Sequence, residues 1–322
     1  MLRRISWVVL CGLLVLGCGR PEGPQPTREL SVVSDIAERQ AQFVKQPLDA
    51  DVSHLSDGDR EALRHLVAAA REIDAIFWIQ AWAGNPDFAP KVEALEGEGA
   101  EAAKRYYGIM YGPWDRLAHF EPFLGDRAHP DGAGFYPEDL TATEFESWLE
   151  DHPSDREAFT SLHTVIRRDG EKLYAVPYSE VYGSHLEAAA RELRAAAQAT
   201  ENQSLRRFLE LRAEAFAMDD YYESDKAWMD LDSDIEVVIG PYETYEDGLF
   251  GYKAAFESFV CVAQPEDSAR LEVFKSQLPF LERNLPIPDE HKNLDRGSES
   301  PISVVDVLFT AGDTRAGVQT LS

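Results

Sequence analysis

The sequence predicts an α+β fold that is predominantly α-helical, with a helical N-terminal region followed by a small β-core that contains a helix. Two patterns predict it. Apolar residues recur at three-to-four spacing within residues 31–225, and short β-branched and aromatic runs follow residue 230. Of the 322 residues, 44% are hydrophobic and 11% aromatic, which suffices for a buried core. We therefore expect a mainly helical region over residues 31–225 and an α+β region over residues 226–322.

The first residues have the pattern of an export signal. Two arginines precede an apolar run over residues 5–16, which is too short to span a bilayer as a mature helix. The run ends in Val-Leu-Gly-Cys, which resembles the bacterial lipobox, where the cysteine is acylated and becomes the new N-terminus. This predicts a lipoprotein signal peptide over residues 1–17 and an exported protein anchored to a membrane of the bacterial cell envelope by a lipid on Cys18. The alternative is an ordinary signal peptide with an incidental cysteine.

The segment after Cys18 and the charge balance extend this prediction. Residues 18–30 are rich in Pro and Gly and predict a flexible tether. The chain has 31 Lys and Arg against 58 Asp and Glu, a net charge of −27. Such a charge repels polyphosphates and anionic headgroups, so we expect neither nucleic-acid binding nor membrane contact beyond the lipid. Because Cys11 leaves with the signal and Cys18 carries the lipid, Cys261 has no disulfide partner, and its apolar run predicts a buried thiol.

Three helices are predicted in the first region. The first begins after the N-cap Ser56, the second at a capping box over residues 184–187, and the third at Ser204. The zone between the first two includes residues 111–114 and 129–137, whose turn residues and aromatics predict ordered surface loops. The residues expected to face the core are Leu63, Leu66, Val67, Ala70, Ile73, Phe77, Leu186, Ala189, Leu193, Ala196, Leu205, Phe208, Leu209 and Phe216.

The second region predicts three strands and one helix. The runs at residues 235–239, 259–262 and 302–309 are short and β-branched or aromatic, as in buried strands. A helix over residues 267–285 separates the last two. Its inward residues are predicted to be Leu271, Phe274, Leu278 and Leu281.

Motifs for metal binding and catalysis are missing from the sequence. No two of the eight histidines lie three or four residues apart, and no HExxH or GxSxG occurs. Counted from Asp230, carboxylates occupy positions one, three and five of a calcium loop, but Ile235 at position six and Pro241 at position twelve rule out an EF-hand. The acids Glu243 and Glu246 could serve a glycosidase, but such a pair carries little information among 58 acids.

Several separated blocks resemble the dipeptidyl peptidase III family of zinc metallopeptidases. The family has a tryptophan-aspartate, then a VExxIGxxExYxD-like strand and turn, a GFxAxV-like strand, and a later substrate-binding strand. The matching blocks in this sequence are residues 227–230, 235–247, 256–260, 305–312 and 315–319. Upstream, residues 134–140 and 175–180 resemble the bacterial branch of the family.

The resemblance implies a lobe that binds a short peptide by strand addition, with carboxylates for the free N-terminal amine. Glu236 matches the amine-binding glutamate of the family. Val238 stands where the best-known members have a tyrosine that hydrogen-bonds the reacting carbonyl. The positions that match the substrate-binding strand are Gly312, Ala316, Gly317 and Gln319, the last in place of an asparagine.

The resemblance also implies zinc in the complete family enzyme, held by a histidine-pair helix and a later glutamate that lie downstream of residues 315–319. We therefore expect no metal site, no cofactor and no catalytic residue in this chain. It is expected to be the N-terminal part of such an enzyme, as a truncated reading frame, a fragment or one half of a split protein whose partner is the C-terminal zinc lobe. Whether it is itself an enzyme stays open. The alternatives are a non-enzymatic envelope lipoprotein that binds peptides or a protein partner, and a helical lipoprotein with no ligand.

Overall fold

The computed structural model describes residues 30–295 and 303–316. The predicted signal peptide and Cys18 lie outside these ranges. No helix within them is both long and apolar enough to cross a membrane. The α-helices are α1 (Ile36–Ala41), α2 (Asp57–Ala81), α3 (Asn85–Glu93), α4 (Ala100–Met110), α5 (Ala142–Asp151), α6 (Arg156–Thr160), α7 (Tyr178–Val181), α8 (Gly183–Ala199), α9 (Gln203–Met218), α10 (Tyr222–Met229), α11 (Pro265–Lys275) and α12 (Leu278–Arg283).

Within the described residues, the strands form three small antiparallel sheets. Two are two-stranded, and the third has the order β5-β6-β7 with β6 in the centre. The three predicted strands correspond to β5, β6 and β7, so the prediction of a small β-core after residue 230 is confirmed. The strands are β1 (Trp114–Asp115), β2 (Glu121–Pro122), β3 (Thr164–Asp169), β4 (Lys172–Pro177), β5 (Ile235–Glu243), β6 (Ala255–Ala263) and β7 (Val305–Gly312).

Helix α2 is at the centre of the core. It begins after Ser56, whose Oγ accepts a hydrogen bond from the backbone N–H three residues later at 3.0 Å, as predicted. It packs against α8 and also against β5, β6 and β7. His65 pairs with Glu192 of α8, and Glu72 pairs with His185 of α8, each at 2.7 Å. These two pairs show that α2 and α8 run antiparallel.

The predicted inward faces of the first three helices are confirmed. Every one of those positions is buried except Val67, which is partly buried and packs against the same core. The third helix begins one residue before the predicted Ser204, because the Asn202 side chain caps it by accepting from the Leu205 N–H at 2.9 Å.

The C-terminal end of α2 is bonded to the sheet through Gln80. This buried side chain donates to the Ala254 carbonyl at 3.3 Å and accepts from the Phe256 N–H at 2.7 Å. Its backbone carbonyl accepts from the Gly134 N–H at 2.7 Å. Gln80 therefore acts as an additional partner for the first residues of β6 and fixes the sheet relative to α2.

The capping box predicted over residues 184–187 was wrong. Helix α8 begins at Gly183, and Ser184 makes no cap. The short helix α7 runs almost directly into α8, and the Tyr182 carbonyl accepts from the N–H groups of His185 and Leu186, each at 3.0 Å. The first N–H groups of α8 therefore find backbone acceptors and need no serine.

Two further expectations need correction. The zone between the first two predicted helices contains α3 to α6 and the β3-β4 hairpin. Residues 129–137 do lack helix and strand, but most of them are buried and do not form a surface loop. The helix predicted over residues 267–285 is two helices, because Pro279 cannot donate a backbone hydrogen bond and so starts α12 instead of continuing α11. Phe274 and Leu281, predicted to be inward, are 69% and 54% exposed.

Candidate peptide-binding face

The β5-β6-β7 sheet has an inner face in the core and an outer face. On β5 the inner side chains alternate with Glu236 and Val238, which are only partly buried. The strand register places Glu236 beside Cys261 and Val238 beside Phe259 of β6, and Cys261 beside Val307 of β7. The fully buried inner residues of β5 are Ile235, Val237 and Ile239.

The outer face carries a shallow pocket of about 350 Å³. Burial raises the pKa of Glu236, and the nearby carboxylate of Asp232 adds to the effect. Among the described residues, no group donates a hydrogen bond to the Glu236 carboxylate or forms an ion pair with it. The residues that line this outer pocket are Glu236, Val238, Phe259, Cys261, Ser303, Val305 and Val307.

A partly desolvated carboxylate without a partner in an apolar pocket favours a cationic ligand, because a cation offsets the loss of hydration. The Cys261 thiol in the same pocket is buried, as predicted, and burial raises its pKa to about 11, which disfavours the reactive thiolate. The outer pocket is therefore suited to an ammonium group with an apolar neighbour.

The predicted residue Gly312 ends β7 with a φ of +72°. A Cβ at this position would lie 2.1 Å from the Phe256 carbonyl oxygen, so glycine is required. The Gly312 N–H donates to Asp74 of α2 at 2.9 Å, and Arg315 Nη1 pairs with the other oxygen of Asp74 at 3.2 Å. The turn that leaves β7 is thus held by one carboxylate.

Of the remaining predicted site residues, the structure describes only Ala316. The Ala316 side chain is buried in the core, so this residue can contact a ligand only through its backbone. Gly317 and Gln319 lie outside the described residues. The structure therefore brings Glu236 and Val238 together in the outer pocket and places Gly312 at the far end of the same sheet.

At this far end lie two carboxyls that no sequence motif marked as site residues, Glu257 and Asp313. Glu257 of β6 lies between Gly240 of β5 and Gly312 of β7 in the strand register. Burial raises the pKa of Glu257 to about 7, assisted by the carboxylates of Asp313 and Glu243. Burial also raises the pKa of Asp313 to about 7.

The carboxylate of Glu246 lies close to Asp313 but is neutralised. Arg116 donates to both Glu246 oxygens, at 2.8 and 2.5 Å, and both side chains are nearly inaccessible. The Arg116 guanidinium also lies over the ring of Phe120, 5.3 Å from its centroid. Because Glu246 forms a buried ion pair with Arg116, it is not free to act with Glu243 as the acid pair of a glycosidase.

Metal donors do not converge in the described ranges, 30–295 and 303–316: no three His, Cys, Asp or Glu side chains are placed to hold an ion. Two histidines pair with glutamates between α2 and α8. His129 stacks on Phe120, and burial lowers its pKa to about 4. These residues do not fit the zinc ion that the family resemblance implies, so no chemical step is assigned to a metal.

Residues 157–319 match the sequence profile of peptidase family M49. The chain belongs to this family. Two solved structures are similar over 88% of the chain, both titled as dipeptidyl peptidase III. The one from Caldithrix abyssi is 50% identical with a TM-score of 0.82, and the one from Corallococcus sp. strain EGB is 40% identical with a TM-score of 0.79. The resemblance to dipeptidyl peptidase III is confirmed, as is the α+β fold.

A curated relative is named Nudix hydrolase 3 from Arabidopsis thaliana. It is 34% identical over 334 aligned residues, which cover 85% of this chain and 42% of that protein. The solved structures are covered over 55% and 54% of their chains. The chain thus spans about half the length of the relatives it matches.

Proposed function

We propose that this M49 chain is the peptide-binding portion of a dipeptidyl peptidase III-like zinc hydrolase. Glu236 binds the free N-terminal amine of a short peptide, and the segment from Gly312 onward pairs with the peptide backbone. The observation that carries the proposal is the Glu236 carboxylate, which is partly desolvated in an apolar pocket with no protein partner in the described residues. An ammonium group supplies the missing counter-charge.

Binding, and not cleavage, is the activity assigned to this chain. Hydrolysis in a zinc peptidase needs a metal-activated water, and the described residues offer no donor set for the metal. With Val238 in place of the tyrosine expected from the family resemblance, this position of β5 also has no hydroxyl to donate to a substrate carbonyl. Cleavage would require the zinc donors of the remaining half of the family fold.

Calorimetry with a tetrapeptide tests the proposal. The free-amine form should bind, and its N-acetylated form should bind at least about tenfold more weakly, since a desolvated ion pair is lost. Glu236→Gln should abolish the difference. As a control, Glu210→Gln removes an exposed carboxylate of α9 and should leave the difference in affinity between the two peptides unchanged. Equal affinity for both forms in the unmodified protein would falsify the role of Glu236.

The location is part of the proposal. Export and anchoring through a lipid on Cys18 would place the peptide-binding face in the cell envelope. Palmitate labelling of the bacterial host should mark the protein, and Cys18→Ala should remove the label and release the protein from the membrane fraction. Labelling that persists in Cys18→Ala would overturn this assignment.

A second candidate, an envelope lipoprotein that binds a protein partner, is favoured by one observation. Helices α11 and α12 expose four large apolar side chains, each more than half accessible: Val273, Phe274, Phe280 and Leu281. Replacing Phe274 and Phe280 with serine should abolish a partner complex and leave peptide binding intact. Peptide binding that is lost together with the complex would argue against a separate partner surface.

A further inference from the structure

A second groove, separate from the outer pocket, lies beside the turn that follows β7. It is the space between the segment after α1, helix α4 and Arg315, and its volume is about 880 Å³. We refer to it as the α4 groove. The residues that line it are Gln40, Phe43, Val44, Lys45, Arg105, Gly108, Ile109, Tyr111 and Arg315.

The charge of the α4 groove is opposite to that of the chain. The net charge of the sequence is −27, yet the lining contains Lys45, Arg105 and Arg315 and no carboxylate. Within residues 30–295 and 303–316, neither Lys45 nor Arg105 has an ion pair or a hydrogen bond to its side chain. Two cations without a protein partner, together with Arg315, in a lining that has no acid favour an anionic ligand.

The side chain of Arg315 is fixed by contacts with residues outside the lining of the groove. Its guanidinium pairs with Asp74 at 3.2 Å, and it lies over the ring of Phe309 at 5.9 Å from the centroid. Tyr111, which also lines the groove, donates its hydroxyl to the same Asp74. Asp74 therefore fixes one cation and one wall of the groove while itself lying outside the lining.

Most of the remaining lining is apolar, and this favours an anion that carries an apolar group. Phe43, Val44 and Ile109 contribute hydrocarbon surface, and Tyr111 contributes a buried ring. A small inorganic anion would gain nothing from these walls, whereas the last residue of a peptide offers an apolar side chain next to a carboxylate. Charge and apolar surface together fit that group.

The α4 groove adjoins the segment that is proposed to pair with the peptide. Arg315 immediately precedes Ala316, and Gly312 is held by the same Asp74 carboxylate that holds Arg315. A peptide paired with the chain at residues 312–316 would therefore have the groove as its neighbour.

We propose that the α4 groove binds the C-terminal carboxylate of the peptide whose amine is bound by Glu236. The ligand class is then a short peptide with both termini free. This inference rests on the proposed function but concerns the opposite end of the ligand. A peptide bound at both termini is selected for length as well as for its amine.

Calorimetry at low salt, with peptides of about four to eight residues, tests the inference, since each extended residue adds about 3.3–3.6 Å of reach. Each peptide is made in four forms: its C-terminus is an acid or an amide, and its N-terminus is free or acetylated. At the optimal length the acid should bind about 3–10-fold more tightly than the amide, and added salt should reduce this ratio. Arg105→Gln should bring the ratio close to one.

The matched control is Arg191→Gln, which removes another exposed helix arginine without a partner among the described residues, and it should leave the ratio unchanged. Thermal unfolding should be the same for both variants. If the unmodified protein binds acid and amide equally at every length, the groove has no such role, whereas a retained effect of acetylation would keep the proposed function. A preference for the acid that ignores acetylation would keep the groove as a carboxylate site but reject the role of Glu236, and with it the binding of one peptide at both termini. No binding in any arm would overturn both.

Discussion

The backbone N–H of Gly312 donates a hydrogen bond of 2.9 Å to the side chain of Asp74, which lies 238 positions earlier in the chain. This contact joins the last residue of β7 to the middle of α2. The same carboxylate accepts from the Tyr111 hydroxyl and pairs with Arg315. One side chain of the helical core therefore sets the direction in which the chain leaves the sheet.

Removal of the Asp74 carboxylate should destabilise the protein. Asp74→Ala leaves the Gly312 N–H and the Tyr111 hydroxyl without an acceptor, and we expect a loss of about 1–3 kcal/mol in the free energy of unfolding. Asp74→Asn keeps an acceptor oxygen and should lose less. Urea denaturation measures both. Glu72→Ala, on the same helix, removes only the pair with His185 and should cost less than about 1 kcal/mol. Equal losses for Asp74→Ala and Glu72→Ala would contradict this account.

Gly312→Ala should be more damaging than most glycine substitutions. The positive φ disfavours a side chain, and the added Cβ would meet backbone atoms of β6 that cannot move independently. We expect a destabilisation of about 2–4 kcal/mol in thermal or urea unfolding. Gly183→Ala is the matched control, because a Cβ there has no neighbour within 4 Å and the φ is not positive. A Gly312→Ala protein as stable as Gly183→Ala would show that the turn can relax.

The sequence predicted the parts of the fold that depend on neighbouring residues. Ser56 caps α2, and the strands of the β-core lie where β-branched runs indicated them. Glu236 could be selected only by family resemblance, because its surroundings depend on strand pairing with Cys261.

The contacts that shape the rest of the site are long-range. Arg116 and Glu246 are 130 positions apart, and Asp74 occupies an ordinary helical position in the sequence. No periodicity marks such residues, since spacing reports only on the local structure of one element. Glu257 had a weak signal, because it lies in the motif at residues 256–260, but its burial beside Asp313 depends on the pairing of three strands.

The carboxyls of Glu257 and Asp313 should make stability depend on pH near neutrality. Each has a folded pKa of about 7, above its ordinary value, so the folded state binds more protons than the unfolded state between about pH 4 and pH 7. Their contribution to stability is present at the acidic end of this window and is lost as the pH rises through 7. Glu257→Gln mimics the protonated form and should be more stable than the unmodified protein at about pH 8, by on the order of 1–2 kcal/mol.

The measurement is urea denaturation of both proteins at several values from about pH 5 to pH 8. The difference between them should grow with pH, whereas Glu210→Gln, which removes an exposed carboxylate, should show a constant difference. A constant difference for Glu257→Gln as well would mean that its carboxyl titrates with an ordinary pKa.

Binding of the peptide amine should weaken on acidification at a higher pH than is usual for a glutamate. The pKa of Glu236 is raised by burial and by Asp232, so the carboxylate is protonated, and its attraction for an ammonium group is lost, as the pH falls through that raised value. Calorimetry with the free-amine tetrapeptide between about pH 4 and pH 6 should show affinity falling with pH. The N-acetylated peptide, and Glu236→Gln with either peptide, should show a much flatter profile.

Asp232→Asn removes the like charge and should shift the loss of affinity to lower pH, because the carboxylate of Glu236 then ionises more easily. An unchanged midpoint in Asp232→Asn would leave burial as the sole cause of the raised pKa.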